Sequence, residues 1–225
     1  MTIFTLNLWR QYEWKTRKPK IVEFLKENLP DVICLQEVQI CPNGLSQAEE
    51  LQQVLSEYQF CIHSTIYPKI SEKGKLLPTS KQHGMAVLSK YPVTNSLTYF
   101  VPQQKDEKEP RSVLLFDILK NSEIYKFVNV HLGNKTEWAT PQMANLLEFL
   151  EKRNEQRILC GDFNLFELPK LANYHSSFDY QNYKSHKDWT LDYVLLPSNY
   201  NFKNLQLVEN LSDHSGLLIE IETQI

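Results

Sequence analysis

The chain has 225 residues, 42% of them hydrophobic, and a formal net charge of −3. That length carries a sizeable core and fits one domain spanning residues 1–225. The acidic balance excludes broad nucleic-acid binding through net charge, and no apolar run approaches a membrane span.

The opening "MTIFTLNLW" alternates as a strand does, with no basic leader or small-residue cleavage site. Four cysteines lack metal-ligand spacing, and Cys34 and Cys160 lie inside apolar runs. An intracellular, cytoplasmic protein with reduced core thiols is expected. "KTRKPK", Lys15 to Lys20, reads as a solvated face before a helix from Pro19 to Asn28. Ile21, Phe24, Leu25 and Leu29 give that helix its apolar stripe. After the strand "DVICLQEV", the stretch "SQAE" opens a second helix: Ser46 can cap and Glu49 can reach back. Leu51, Val54, Leu55 and Tyr58 line its expected buried face. The strands "QFCIHS", "GMAVLSK", "SLTYFV", "SVLLFDIL" and "YKFVNVHL" follow, with "SEKGKLLPTSKQ" and "PQQKDEKEP" as exposed loops. A third helix opens at Thr140-Pro141 and turns Met143, Leu146, Leu147 and Leu150 inward. The strands "RILCGDF", "LDYVLLP", "FKNLQLV" and "GLLIEIE" close the chain. No internal repeat is visible. Eleven strands with few helices exceed one ordinary open sheet. Two packed sheets with helices outside, an α/β sandwich, fit better.

The polar residues fall at strand ends. Asn7, Gln36-Glu37, His131, Asp162 with Asn164, Asp192, and Asp213-His214 each stand at or beside one. A turn accounts for any one of these. It accounts poorly for all of them, since α/β proteins place their chemistry at strand ends. A site of Asp, Glu and Asn without cysteine suits Mg²⁺ or Mn²⁺ better than zinc.

"LQEV", "GDFN" and "SDH", in this order and spacing over nearly the whole chain, resemble the endonuclease/exonuclease/phosphatase superfamily, the group of deoxyribonuclease I. The resemblance implies a four-layer α/β sandwich, two central mixed β-sheets flanked by helices, and a metal-dependent phosphoester hydrolase. It makes Glu37 the metal ligand, with Asn7 supporting metal and phosphate and Asp213 a further polar or metal-linked member. Asp162 would orient or deprotonate the attacking water, and Asn164 would donate its amide to a phosphate oxygen. His214 would contact the phosphate, held by Asp192. His131 stands where deoxyribonuclease I-like and sphingomyelinase-like members have a histidine and exonuclease III-type enzymes a tyrosine. Arg111 opens a strand, where a phosphate contact and a surface ion pair are both open to it. Trp9 is expected to pack beside the site. His63, His83, His175 and His186 have no evident partner and are expected to be structural or exposed.

The motif of inositol 5-phosphatases lacks its proline and arginine here. The ending "SDHSGLL" is similar to that of 5′-tyrosyl-DNA phosphodiesterases. A nucleic acid or another phosphodiester is the expected partner, cleaved as an endonuclease, exonuclease or DNA-end phosphodiesterase would, by a monomer. Tyr12 and Trp14 interleave with Arg10, Lys15, Arg17 and Lys18 in a stretch suited to it. A sphingomyelinase-like or small-molecule phosphoesterase is the alternative, and a binding module without catalysis ranks last.

Overall fold

The computed structural model describes residues 1–41, 43–64 and 83–224. The expected loop "SEKGKLLPTSKQ" lies outside them. Two six-stranded sheets form the centre. The first contains β1 (Thr2–Asn7), β2 (Val32–Gln39), β3 (Phe60–His63), β4 (His83–Ser89), β11 (Tyr200–Val208) and β12 (Gly216–Thr223), in the order β11-β12-β1-β2-β4-β3. The second contains β5 (Val93–Val101), β6 (Arg111–Lys120), β7 (Glu123–His131), β8 (Ile158–Asp162), β9 (Tyr174–Ser176) and β10 (Asp192–Pro197), in the order β5-β6-β7-β8-β10-β9.

The two sheets repeat one plan. In each, a central parallel pair is flanked by two antiparallel strands on either side: β1 with β2, and β7 with β8. Helix α1 (Trp14–Asn28) makes the first parallel crossover and α3 (Thr136–Lys152) the second. Register matches as well, with Asn7 opposite Gln36 in one sheet and His131 opposite Asp162 in the other.

Every central strand is apolar on both faces, because one face meets the other sheet and one meets a helix. On β2, Val32 and Cys34 enter the inter-sheet core, whereas Ile33 and Leu35 pack against α1 and α2 (Gln47–Gln52). On β8, Ile158 and Cys160 face inward and Leu159 faces α3. The inner faces end in polar residues. Ile3, Thr5 and Asn7 share one face of β1, and Phe127, Asn129 and His131 share one face of β7. Asp162 and Asp192 continue the inner faces of β8 and β10. The rim of the inter-sheet layer therefore holds the polar strand ends. Just below it, Gln36 Nε2 bonds to Asn129 Oδ1 at 2.7 Å and to Thr5 Oγ1 at 3.0 Å, while Asn129 Nδ2 donates to the Leu35 and Ala86 carbonyls.

All the expected strands form, and the capping box at Ser46 and Glu49 is complete. The helix starts differ. Helices α1 and α3 begin at Trp14 and Thr136, so Pro19 and Pro141 lie inside them. Tertiary anchoring outweighs the lost amide: Trp14 and Arg17 are buried, and Trp14 Nε1 donates to Glu50 at 2.8 Å. Helix α2 stops at Gln52, leaving Val54 exposed. β9 and the single turn α4 (Ser177–Tyr180) were not anticipated. Within the exposed loop "PQQKDEKEP", Glu107 is buried against Gln142.

Gly161 has a φ of +135°, and a Cβ there would lie 2.2 Å from the Val130 carbonyl oxygen. Gly161→Ala is expected to cost about 3 kcal/mol of stability through strain and clash, read as a lower urea midpoint at unchanged slope.

Candidate active site

β1, β2, β7 and β8 run toward the same rim, and β4, β6, β10 and β12 begin there. The backbone is unusual at this rim. Trp9, Arg10, Glu37 and Asn164 all adopt left-handed φ values between 48° and 53°. On β2 the inward series would continue from Cys34 to Gln36 and place Glu37 on the helix side. A register shift between Leu35 and Val38 and the left-handed φ of 52° at Glu37 re-aim its carboxylate. Glu37 Oε2 lies 3.2 Å from Arg10 Nε, and Glu37 Oε1 lies 3.9 Å from His131 Nε2.

From His131 the contacts continue. Its Nε2 is 3.7 Å from Asp162 Oδ2. Asp162 accepts from Asn7 Nδ2 at 3.0 Å and from the Asn164 amide at 3.0 Å. Asp162, Asp192 and His214 each bring a ligand-capable atom within 4.8 Å of the other two. His214 Nδ1 lies 2.8 Å from Asp192 Oδ2. Glu37, His131, Asp162, Asp192 and His214 thus form one continuous line across both sheets.

The electrostatics are set by burial. Burial, and then the neighbouring Asp192 charge, push the Asp162 carboxyl well above the usual range. Burial and the Arg111 guanidinium keep His131 well below its ordinary value, so it is neutral. Burial opposes charge on His214 too, but the Asp192 carboxylate more than offsets it and raises the imidazole to about 10.

The structure gives several of the expected site residues further partners. Asn164 Nδ2 donates to the Leu132 carbonyl at 3.1 Å, so one of its two N–H groups is spent on backbone. Asn7 Oδ1 accepts from the Trp9 amide at 2.9 Å. Asp213 stands with His186 and His214. Arg111 is buried, not in a surface pair, with Nη1 at 3.1 Å from His131 Nε2 and Nε at 3.7 Å from Glu107. His83 is buried beside Arg10 and Glu109, and the His186 ring packs at a tilt against His214, centroids 4.4 Å apart. His63 bonds to Ser46 and His175 is exposed, as expected. The basic-aromatic stretch is mostly structural. Trp14 and Arg17 are buried, Arg17 binds the Arg10 and Tyr12 carbonyls, and Lys18 pairs with Glu50. Trp9, half-buried, packs next to Asn7 and lies tilted against exposed Tyr12, ring centroids 4.0 Å apart.

A sequence model of the Endonuclease/Exonuclease/phosphatase family matches residues 4–214. The chain belongs to that family. No curated protein sequence matches it. Among solved structures, an endonuclease/exonuclease/phosphatase family protein from Bacteroides thetaiotaomicron is similar at a TM-score of 0.78 and 14% identity, covering 100% of this chain and 98% of that one. The human Nocturnin catalytic domain with bound sulfate is similar at 0.74 and 21% identity, covering 99% and 93%. D. rerio TDP2 complexed with single strand DNA product is similar at 0.74 and 15% identity, covering 99% of both. These likenesses carry the fold, two mixed sheets with flanking helices.

Members of the family are generally hydrolases of phosphoester bonds and typically use divalent metal ions. The donor set at this rim fits a hard cation: Glu37 is a half-buried carboxylate turned into the cluster, and no thiol stands in the line. Arg10 and Arg111 were named in the sequence reading and His83 and His186 were left without a role, but the partners of all four are remote in the chain and were not foreseen. A histidine at the start of a strand was the one available signal, at His83.

In metal-free protein the His214 imidazole is expected to keep its second proton to about pH 10 in an NMR titration. Its folded value is raised, so the stability it contributes is complete below its ordinary value of 6.5 and is lost as pH rises through about 10. Asp192→Asn should bring the midpoint down by at least about two units.

Proposed function

We propose that this chain, acting as one domain and as a monomer, is a divalent-metal-dependent phosphodiester hydrolase of nucleic acid. The observation that carries the reading is the line from Glu37 through His131 and Asp162 to His214, with Asp192 holding His214 by a 2.8 Å hydrogen bond. Glu37, with Asn7 beside it, would hold a Mg²⁺-type ion, which when bound neutralises charge on the phosphate oxygens. Mn²⁺ suits the same oxygens.

The chain's own groups do the rest. Asp162, raised in pKa by burial and Asp192, is poised as a base near neutral pH for the attacking water. The Asn7 amide holds the Asp162 carboxylate in place at 3.0 Å. His214 presents an imidazolium to the phosphate as negative charge builds, and Asp192 keeps both its orientation and its proton. Neutral His131, anchored by Arg111, offers a ring to the phosphate without adding a competing cation. The second N–H of Asn164 remains for a phosphate oxygen.

Nucleic acid is favoured by two aromatic pairs at the mouth. Trp9 and Tyr12 follow Asn7, and Tyr12 is 56% exposed. Phe166 and Trp189 touch at 4.6 Å, each half exposed, two residues beyond Asn164 and three before Asp192. Base faces stack on such platforms without sequence preference. The four free cysteines fit a reducing cytoplasm.

Hydrolysis of bis-p-nitrophenyl phosphate should require Mg²⁺ or Mn²⁺ and stop in excess chelator; unchanged activity there would falsify the metal mechanism. Asp162→Asn and His214→Ala should each lower kcat by at least about two orders of magnitude. Only Glu37→Gln should raise the metal concentration needed for half activity. Replacing Phe166 and Trp189 together with alanine should weaken cleavage of single-stranded DNA or RNA about tenfold or more and spare the small chromogenic diester. Equal loss on both substrates would remove the stacking assignment.

A further inference from the structure

We propose that His186, Asp213 and His214 form a second, inhibitory metal site that takes Zn²⁺, distinct from the Mg²⁺-type site at Glu37. One ring nitrogen of each imidazole and a carboxylate oxygen of Asp213 already lie within 4.8 Å of one another. Modest side-chain movement brings such atoms to the ~2.0–2.2 Å that zinc requires.

The surroundings orient both rings. His186 Nδ1 faces the Asp213 carbonyl oxygen at 3.1 Å, and His214 Nδ1 faces the Asp192 carboxylate at 2.8 Å. Each engaged Nδ1 leaves Nε2 as the ligating atom, the arrangement by which a carbonyl or carboxylate fixes a metal-bound histidine. The backbone is tied as well. Ser185 and His186 both donate to the Trp189 carbonyl at 3.0 Å, and the Ser215 amide donates to the Ser185 carbonyl at 2.7 Å. The hairpin bearing His186 is thereby fastened to the loop bearing Asp213 and His214. His186 is half-buried, so the site opens to solvent.

Donor chemistry selects the ion. Two imidazoles and one carboxylate suit zinc or cobalt, whereas Mg²⁺ prefers oxygen alone and keeps its waters. On binding, zinc takes the place of the Nε2 proton of His214, which leaves for solvent, and Asp192 remains the partner of Nδ1. His214 is then no longer available to phosphate, which links occupancy to inhibition. That link rests on the function proposed above, whereas the metal site itself does not.

The test uses the full chain without a histidine tag. Zn²⁺ is titrated by calorimetry into metal-free protein and, separately, into the hydrolysis assay at saturating Mg²⁺. Wild type should be inhibited, and tenfold more Mg²⁺ should not relieve it. His186→Phe keeps a ring over His214 but removes both nitrogens, and His186→Gln is the second variant. Each should retain basal Mg²⁺-dependent activity and need at least about tenfold more Zn²⁺ for half inhibition. Co²⁺ in place of zinc should give visible d–d absorption of a four-coordinate site in wild type, absent in both variants. Unchanged zinc affinity in the variants, or relief of inhibition by Mg²⁺, overturns the proposal. If wild type hydrolyses nothing, the calorimetry and the Co²⁺ spectrum still decide the metal site, so its failure and that of the hydrolase reading are told apart.

Discussion

The 2.7 Å hydrogen bond between Gln36 and Asn129 is the contact on which the rim depends. It spans the two sheets immediately below the polar strand ends. Asn129 also donates to carbonyls of two strands of the opposite sheet, and Gln36 reaches Thr5. Polar groups at such depth are costly unless paired, so the pairing specifies how the sheets sit against each other. One position further along each inner face come Asn7 on β1 and His131 on β7. The distances among the charged residues above are set by the layer beneath. Gly161 belongs to the same constraint: a side chain there would press on the Val130 backbone and on Gln36 Nε2.

Burial at the rim drives like carboxylates and like imidazoles to different protonation behaviour. Asp162 and Asp192 face each other in register across β8 and β10. Asp162 is raised by burial and by its neighbour's charge, whereas Asp192 is engaged by His214 at 2.8 Å. The two histidines diverge for a similar reason. His131 sits by Arg111 and stays neutral, while His214 sits by a carboxylate and stays charged. Environments that push like groups apart are the usual means by which one site holds both an acid and a base.

Much of this was legible in the sequence. Period-two alternation located the strands, and the polar residue closing each inner face marked the rim. Asp162 could be singled out because "ILCGDF" runs apolar and then breaks on the inward position. Glu37 was found through the resemblance and not through periodicity, since strict alternation puts it on the wrong face and only the bulge corrects that. The helix starts were missed where a proline was taken as the first residue, although buried Trp14 anchors a turn before it. Arg10, His83, Arg111 and His186 act through partners far away in the chain, which no local pattern reveals. The loop role of "GDFN" proved compatible with its site role: the Asp162 carboxylate accepts from the Asn164 amide and holds the turn.

The repeated plan of the two sheets has a consequence for how the molecule is made. Each half is a βαβ crossover with antiparallel wings, and most of its hydrogen bonds are internal to it. The two βαβ crossovers can gain secondary structure separately, because their contacts close over shorter stretches of chain than contacts between sheets, whereas the first sheet is complete only when β12 pairs with β1 from the far end of the chain, Thr2 opposite Glu220. The rim is different. Asn7 meets Asp162 across 155 residues of sequence, and Gln36 meets Asn129 across 93. The line of polar residues therefore exists only after the halves have docked. Far-ultraviolet circular dichroism during refolding reports secondary structure, whereas regain of the proposed hydrolysis would report the docking, and the interval between the two signals times the assembly of the inter-sheet layer.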